Sequence, residues 1–199
     1  MTRNVLLGGI AGGVVLFVWS VLAWTLLPLH RSSLRTLGAE SRVVEALVQA
    51  RTVGGLYVIP GLPDAYGKSE EERAAAQREW EDRALRGPVA TLAYHPEGRS
   101  PARMFRPMMR GLGFAVAAAV FSAVVLRRAN IASHVGRVAL VLGMGLFAWI
   151  LGPAMQWNWF AYPADYTLSV LVDTLAGWAI VGVVQAGIVR PASSSTHAA

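Results

Sequence analysis

The chain has 199 residues, of which 54% are hydrophobic and only 15% charged, and its formal net charge is +6. This composition is too apolar for an ordinary soluble domain of that length and predicts a membrane protein. The absence of cysteine excludes disulfides, thiol redox chemistry, iron–sulfur clusters and thiolate zinc sites. The basic residues are scattered among acids or lie at predicted membrane edges, so we expect no nucleic-acid partner.

The first predicted element is a transmembrane helix over residues 5–27, "VLLGGIAGGVVLFVWSVLAWTLL", which carries no charge and is followed by Pro28. A bilayer core about 30 Å thick requires about 20 apolar residues in a helix. A cleaved signal peptide is the alternative, because Arg3 precedes the apolar run and Ala23 could mark a cleavage site. We favour a retained anchor, since a signal core has only about 7 to 15 residues.

Residues 29–107 are predicted to form a small α/β insertion. "ESRVVEALVQAR" at 40–51 places Val44, Leu47 and Val48 on one face of an amphipathic helix. The runs at 56–59 and 87–96 are rich in β-prone residues and predict two strands. A strand, helix, strand order allows a parallel pair with a crossover.

A helix between these strands has both of its ends marked in "SEEERAAAQREWEDRALRG". Ser69 and Glu72 have the spacing of a capping box, and Gly87 follows a basic last turn. Its buried face is predicted to consist of Ala76, Trp80 and Ala84. Two strands and two helices make a thin core, so we expect the insertion to lean on the membrane helices or on a partner.

Three further transmembrane helices are predicted at about 111–126, 138–157 and 166–189. The predicted fold is therefore an all-α integral membrane protein with four transmembrane helices and a small α/β extramembrane insertion between helices 1 and 2. The domain boundaries are 1–28 for the N-terminal tail and helix 1, 29–107 for the insertion, 108–190 for helices 2 to 4, and 191–199 for a disordered tail.

Small residues recur four positions apart within these predicted helices, a spacing that lets two helix backbones approach closely. They are Gly8 with Gly12, Gly9 with Gly13, and Ala115 with Ala119 and Ala123. Ser169 and Gly177 lie four residues to either side of Asp173 on one further stripe. Such faces serve either packing among the four helices, which we favour, or docking of a partner or a second copy.

The short basic segments predict the orientation. With four spans, Arg3, Arg127, Arg128, Arg137 and Arg190 all lie on one side, which the positive-inside rule makes cytoplasmic. Both termini are then cytoplasmic and the insertion lies outside. Residues 28–110 carry thirteen Lys and Arg, which conflicts with that rule, but segments longer than about 60 residues cross the membrane largely regardless of charge.

"MQWNWFAYPADYTLSVLVD" at 155–173 concentrates aromatic rings at a predicted exit from the membrane. Amphipathic rings favour the headgroup layer, so a membrane border accounts for them. Alternatively, the stretch binds a small ligand, a quinone head or a lipid headgroup. The candidate residues besides Asp173 are Gln156, Trp157, Asn158, Trp159, Tyr162 and Asp165.

Asp173 is not explained by the border. It follows Tyr166 by seven residues, which places it about 10 Å further along the helix. A carboxylate at that depth should face the other helices, find a partner or keep its proton. The partners considered are Gln156, Asn158, Ser20, Thr25, an arginine of the insertion, or a neighbouring subunit. Its role is either a proton-responsive or ligand-orienting acid, or a buried hydrogen bond that fixes the helix register.

Catalytic and metal-binding residues are not predicted, because the four histidines fall in different segments and no nucleophile elbow or cofactor loop occurs. We expect a multi-pass cell-membrane protein without a cofactor, and an enzyme ranks third after the two hypotheses that follow. The first hypothesis is an accessory, assembly or interaction subunit that docks a protein partner or a second copy through the insertion and the small-residue faces. The alternative is a protein that binds or transports a small solute, proton, quinone or lipid at Asp173 and the 156–166 cluster.

Overall fold

The computed structural model describes residues 2–98, 100 and 103–191. The predicted disordered tail, apart from Pro191, lies outside the described residues. The chain divides into two compact units. The helical unit comprises Met1–Leu34, Ser100–Ala154 and Asp165–Ala199, and the insertion unit comprises Arg35–Arg99 and Met155–Ala164.

Helices dominate the element order. In chain order the elements are α1 (Arg3–Thr25), a 3-10 turn (Pro28–His30), α2 (Glu40–Gln49), β1 (Gly55–Ile59), α3 (Glu70–Arg86), β2 (Ala90–Tyr94), α4 (Phe105–Ala129), α5 (His134–Trp149), a π turn (Ile150–Ala154), α6 (Met155–Phe160) and α7 (Ala164–Ile188).

Four of these helical stretches are long and apolar enough to span a membrane, which confirms the number expected from the sequence. They are Arg3–Thr25, Phe105–Ala129, His134–Phe160 and Ala164–Ile188. The third includes the π turn, where Pro153 lies inside the helix. Proline has no N–H to donate to the helical ladder, which accounts for the local irregularity.

The glycines of α1 pack against the chain's own helices. A Cβ built on Gly9 would lie 2.5 Å from Val120 Cγ2 on α4, and one on Gly12 would lie 3.0 Å from Gln185 Nε2 on α7. Only glycine permits so close an approach. The other two glycines repeat the pattern, with Gly13 facing Val116 on α4 and Gly8 facing Val189 after α7. Both faces are therefore filled within the helical unit.

A polar link joins α4 and α7 where they meet α1. Gln185 is fully buried, accepts a hydrogen bond from Ser122 Oγ at 2.9 Å and donates one to the Ala119 carbonyl at 2.6 Å. Ala119 and Ala123 are also fully buried beside it. Because the amide and the hydroxyl satisfy each other, the link holds two helices in register without a buried charge.

Two arginines satisfy carbonyls at the end of α7. Arg127 Nη1 donates to the Arg190 carbonyl at 2.7 Å, and Arg137 Nη1 donates to the Val189 carbonyl at 3.0 Å. The last carbonyls of a helix have no partner inside the helix, and a cation near them is favourable. These contacts bring the end of α4, the start of α5 and the end of α7 to one end of the helical unit.

In the insertion unit, β1 and β2 pair antiparallel, with Gly55 opposite Tyr94 and Ile59 opposite Ala90. The parallel arrangement that the element order allowed is wrong. The connection through residues 60–69 and α3 returns the chain to the C-terminal end of β1. The first residue of β2, Ala90, therefore lies opposite Ile59. The Thr91 hydroxyl donates to the Phe160 carbonyl at 2.7 Å, which ties residues 155–164 to the sheet.

The predicted capping box begins α3. Ser69 N donates to the Glu72 carboxylate at 2.8 Å, and Glu72 N donates to Ser69 Oγ at 3.3 Å. The hydrogen bond from the Ser69 backbone, followed by that from its side chain, lowers the pKa of Glu72 below its ordinary value. Within α3, the residues that are not exposed are Ala76, Trp80 and Ala84, the predicted stripe.

Candidate functional site at Asp173

The Asp173 carboxylate joins α7 to α1 and to the turn after α1. Its Oδ1 accepts a hydrogen bond from Trp19 Nε1 at 2.7 Å, and its Oδ2 lies 3.1 Å from His30 Nε2. The indole N–H also approaches the Asp173 carbonyl at 3.1 Å. The Asp173 side chain is 16% exposed, and His30 is 3% exposed. The sequence prediction that Asp173 points inward to a partner agrees with these contacts.

His30 reaches the carboxylate because the chain turns immediately after α1. Pro28 opens the 3-10 turn, and Arg31 N closes it on the Pro28 carbonyl at 3.2 Å. The His30 ring stacks on Trp24 with the ring centroids 4.0 Å apart and the planes 16° apart. The Ser33 hydroxyl donates to the His30 carbonyl at 3.1 Å. The histidine is thus held by its backbone and by its ring.

Trp19 fits beside α7 because Gly177 has no side chain. A Cβ at Gly177 would lie 2.8 Å from Trp19 Cδ1, one helical turn beyond Asp173. Ser169, one turn before Asp173, donates its hydroxyl to the Asp165 carbonyl in its own helix. Of the two small residues that flank Asp173, Gly177 is therefore the one that leaves space for the Trp19 ring.

The protonation of the pair decides what His30 can offer a ligand. With Asp173 ionised, Nε2–H donates to Oδ2, and Nδ1 is then either a bare acceptor in the neutral ring or a second N–H donor in the imidazolium. Nδ1 is buried and has no hydrogen-bond partner within the described part of the chain. Leaving a buried polar atom without a hydrogen bond costs about 1–3 kcal/mol. Binding of a ligand that forms a hydrogen bond with Nδ1 would remove this cost.

A cleft of about 370 Å³ lies beside His30 at the end of α1. Its walls combine the Trp24 ring, the imidazole and the cationic Arg31 with aliphatic side chains. The lining residues are Trp24, Thr25, Leu26, Leu27, Pro28, His30, Arg31 and Leu34. This volume falls within the range of small-molecule pockets, about 300–1,000 Å³. The cleft can hold a compact group with a polar or anionic end beside an aromatic surface.

The other predicted ligand-binding residues lie elsewhere along the chain. Gln156, Trp157, Asn158 and Trp159 are on α6 and are exposed, with Trp159 72% exposed. Tyr162 lies in the link between α6 and α7 and is partly buried. Asp165 is in the first turn of α7, where its carboxylate accepts from Tyr166 N at 2.9 Å. The partners that the structure gives Asp173 are Trp19 and His30, which the sequence analysis did not name.

Trp19 could have been found by comparing depths along the helices. It lies six residues before the end of α1, about 9 Å, and Asp173 lies nine residues after the start of α7, about 13 Å. Two antiparallel helices with aligned ends bring such positions to a similar level. His30 left no comparable signal, because its position depends on the turn that follows Pro28. Thr25, a proposed partner of Asp173, donates its hydroxyl to the Val21 carbonyl within α1.

Neither metal ligation nor kinship assigns a function to this site. Among the residues that the structure describes, no three His, Asp or Glu side chains are grouped so that they could hold a metal ion. No family model matches the chain, and no curated protein or solved structure matches it. The geometry of Asp173, His30 and Trp19 is thus the basis on which a function can be proposed.

Proposed function

We propose that the four apolar helices span a cell membrane, with both termini in the cytoplasm and residues 29–107 outside. The arginines near the ends of α4 and α7 and near the start of α5 support this orientation, because Arg127 and Arg137 both contact the carbonyls that follow α7 and so belong to one end of the helical unit. An excess of Lys and Arg in short segments is typical of the cytoplasmic side. Asp173 then lies toward the outer side.

We propose further that the protein binds a small solute, a quinone head or a lipid headgroup at the cleft beside His30, without catalysing a reaction, and that the His30–Asp173 pair makes this binding respond to protons. The observation that carries the proposal is the 3.1 Å contact between His30 Nε2 and Asp173 Oδ2. An acid within a membrane helix is costly unless it is paired. A purely structural link needs only a neutral pair such as Gln185 and Ser122, whereas this one retains two titratable groups.

The sign of the expected pH dependence follows from the charges around the cleft. His30 and Arg31 line it, and Asp173 lies directly behind His30. Histidine is the side chain whose charge ordinarily changes between about pH 5 and 8. A proton added to the pair makes the cleft more positive, so an anionic ligand binds more tightly as the pH falls and is released as it rises.

The test is mass spectrometry of what remains bound when the full chain is isolated from its source membrane in native nanodiscs. Asp173→Asn keeps an oxygen acceptor for the Trp19 indole but removes the titratable charge. We expect the wild type to carry a specific small molecule or lipid that this variant loses. Val172→Ala is the matched control, since Val172 is the adjacent residue on α7 and is 54% exposed. Equal ligand content in all three proteins would refute the proposal.

A second candidate function is that of an accessory or assembly subunit that docks a protein partner or another copy. Apolar side chains on the insertion favour it, since Tyr66 is 95% exposed and Leu85 is 86% exposed. The glycine faces of α1 are filled by α4 and the α7 segment, so docking would use the insertion. In the same nanodisc experiment, a stoichiometric protein that is lost with Leu85→Arg but kept with Asp173→Asn would favour this function over ligand binding.

A further inference from the structure

The amphipathic helix α2 carries an apolar face that remains open. Its apolar residues Val43, Val44 and Val48 are 42%, 51% and 61% exposed, and no residue of the helix is buried. Leu47, on the same face, is partly buried. Three neighbouring valines in contact with water are unfavourable, because burial of apolar surface is the main stabilising contribution in folding. We therefore expect another apolar surface to cover this face.

The position of α2 in the chain limits what that occupant can be. Only residues 26–39 separate the end of α1 from the start of α2. If α1 spans the membrane, this tether begins at the membrane surface. It also holds Leu34 and Leu37, which are 57% and 60% exposed. Apolar residues thus continue from the end of α1 to the face of α2.

The charges around α2 suit an anionic surface. Residues 31–51 contain four arginines and two glutamates, a net charge of +2. The arginines are Arg31, Arg35, Arg42 and Arg51. Arg42 is exposed and lies on the side of α2 away from Val44. Within α2 itself Arg42 is accompanied by Glu40 and Glu45, so the positive charge comes from the segments that flank the helix. An amphipathic helix can lie in the plane of a membrane, with its apolar face at the headgroup and acyl boundary, and basic residues close to it favour anionic lipid.

We propose that α2 is an interfacial helix, whose valine face inserts into the outer surface of the same membrane that α1 spans, next to anionic phospholipid headgroups. The inference rests on the proposed membrane location but not on ligand binding at His30 and Asp173. Contact with the bilayer would stabilise the insertion unit. The thin core of two strands and two other helices buries little apolar surface by itself.

Single-cysteine labelling tests this inference cleanly, because the chain has no cysteine of its own. Val44→Cys and Gln49→Cys lie on opposite sides of α2, and both positions are exposed in the structure. Each full-length variant is labelled with an environment-sensitive fluorophore in nanodiscs of phosphatidylcholine and phosphatidylglycerol. We expect the label at 44 to be quenched by brominated lipid and several-fold less by aqueous iodide, and the label at 49 to behave in the opposite way.

Two outcomes would overturn the inference. Equal access of iodide to both labels would show that the valine face is open to water. Shielding at 44 without quenching by brominated lipid, together with disulfide cross-linking between two Val44→Cys chains, would show that a second copy covers it. Val48→Cys provides a second position on the same face should the change at 44 disturb folding. Ligand content of these variants reports separately on the site at Asp173.

Discussion

At the scale of single residues, two polar side chains on α7 are accommodated in different ways. Gln185 is neutral and fully buried, and its amide exchanges hydrogen bonds with Ser122 and the Ala119 carbonyl. Asp173 is titratable and partly exposed, and it meets a second titratable group. The first arrangement is a neutral hydrogen-bonded link between two helices, whereas the second joins a carboxyl group to an imidazole.

Replacing Gln185 tests its structural role. Gln185→Leu removes the hydrogen bonds to Ser122 and to the Ala119 carbonyl but keeps a side chain of similar volume. Hydrogen bonds between membrane helices contribute about 0.6–2 kcal/mol. We expect the free energy of unfolding, measured for the full chain in bicelles, to fall by about that amount while ligand content is unchanged. An equally stable variant would show that the link is not needed for packing.

At the scale of elements, close helix packing depends on the glycines of α1. A Cβ at Gly13 would overlap the backbone of Val116 on α4, whereas a Cβ at Gly143 on α5 would have no atom of the described residues within 4 Å beyond the neighbouring backbone of its own helix. The same substitution therefore has opposite consequences on the two helices. Gly143 also gains helix propensity from the change, because glycine is about 1 kcal/mol less favourable than alanine inside a helix.

Gly13→Ala and Gly143→Ala form the matched pair that tests this packing. We expect Gly13→Ala to destabilise the helical unit by about 1–3 kcal/mol, as overpacking does, and Gly143→Ala to leave it unchanged or more stable. The measurement is thermal unfolding of the purified full chain in one detergent. Equal effects of the two changes would contradict the contact between α1 and α4.

The capping box of α3 predicts a dependence of stability on pH. The pKa of Glu72 lies below its ordinary value of 4.5, because the carboxylate accepts hydrogen bonds from Ser69. A group whose pKa is lower when folded stabilises the fold fully above its ordinary pKa and loses that contribution as the pH falls through the lowered one. We therefore expect α3 of the wild-type chain to unfold more readily in acid than at neutral pH.

Glu72→Gln isolates that contribution. The variant should have lower helix stability at neutral pH and a smaller further loss on acidification, measured by circular dichroism of the full chain during thermal unfolding. Glu71→Gln, in the same first turn, is the control, and it should follow the wild type. A Glu71→Gln variant that behaves like Glu72→Gln would indicate a general effect of charge near the helix start rather than the capping box.

Some elements could be predicted from sequence because their signals are local. The four apolar helices follow from length and composition, Ser69 and Glu72 mark the start of α3, and Gly87 marks its end. The antiparallel pairing of β1 and β2 could not be predicted, since it depends on how residues 60–69 return the chain. His30 was missed for the same reason, because a turn and a stacked ring bring it to a carboxylate 143 residues away.

At the scale of the whole molecule, the proposed topology can be tested with the cysteine-free chain. Glu81→Cys lies in the insertion, and Ala132→Cys lies in the loop between α4 and α5. A membrane-impermeant maleimide applied to intact cells should label the first variant and reach the second only after the membrane is opened. The reverse pattern would place the arginine-rich end outside and Asp173 toward the cytoplasm.

We have proposed that the protonation of the His30–Asp173 pair controls the binding of a ligand in the cleft beside His30. The most direct measurement is the nitrogen NMR signal of His30 in the ¹⁵N-histidine-labelled full chain in lipid bilayers, assigned with His30→Gln and followed between about pH 5 and 8. We expect the His30 ring to change between its neutral and its charged form, with ligand occupancy changing over the same range. A His30 signal that stays in one state throughout would contradict it and leave the pair as a fixed link between α1 and α7.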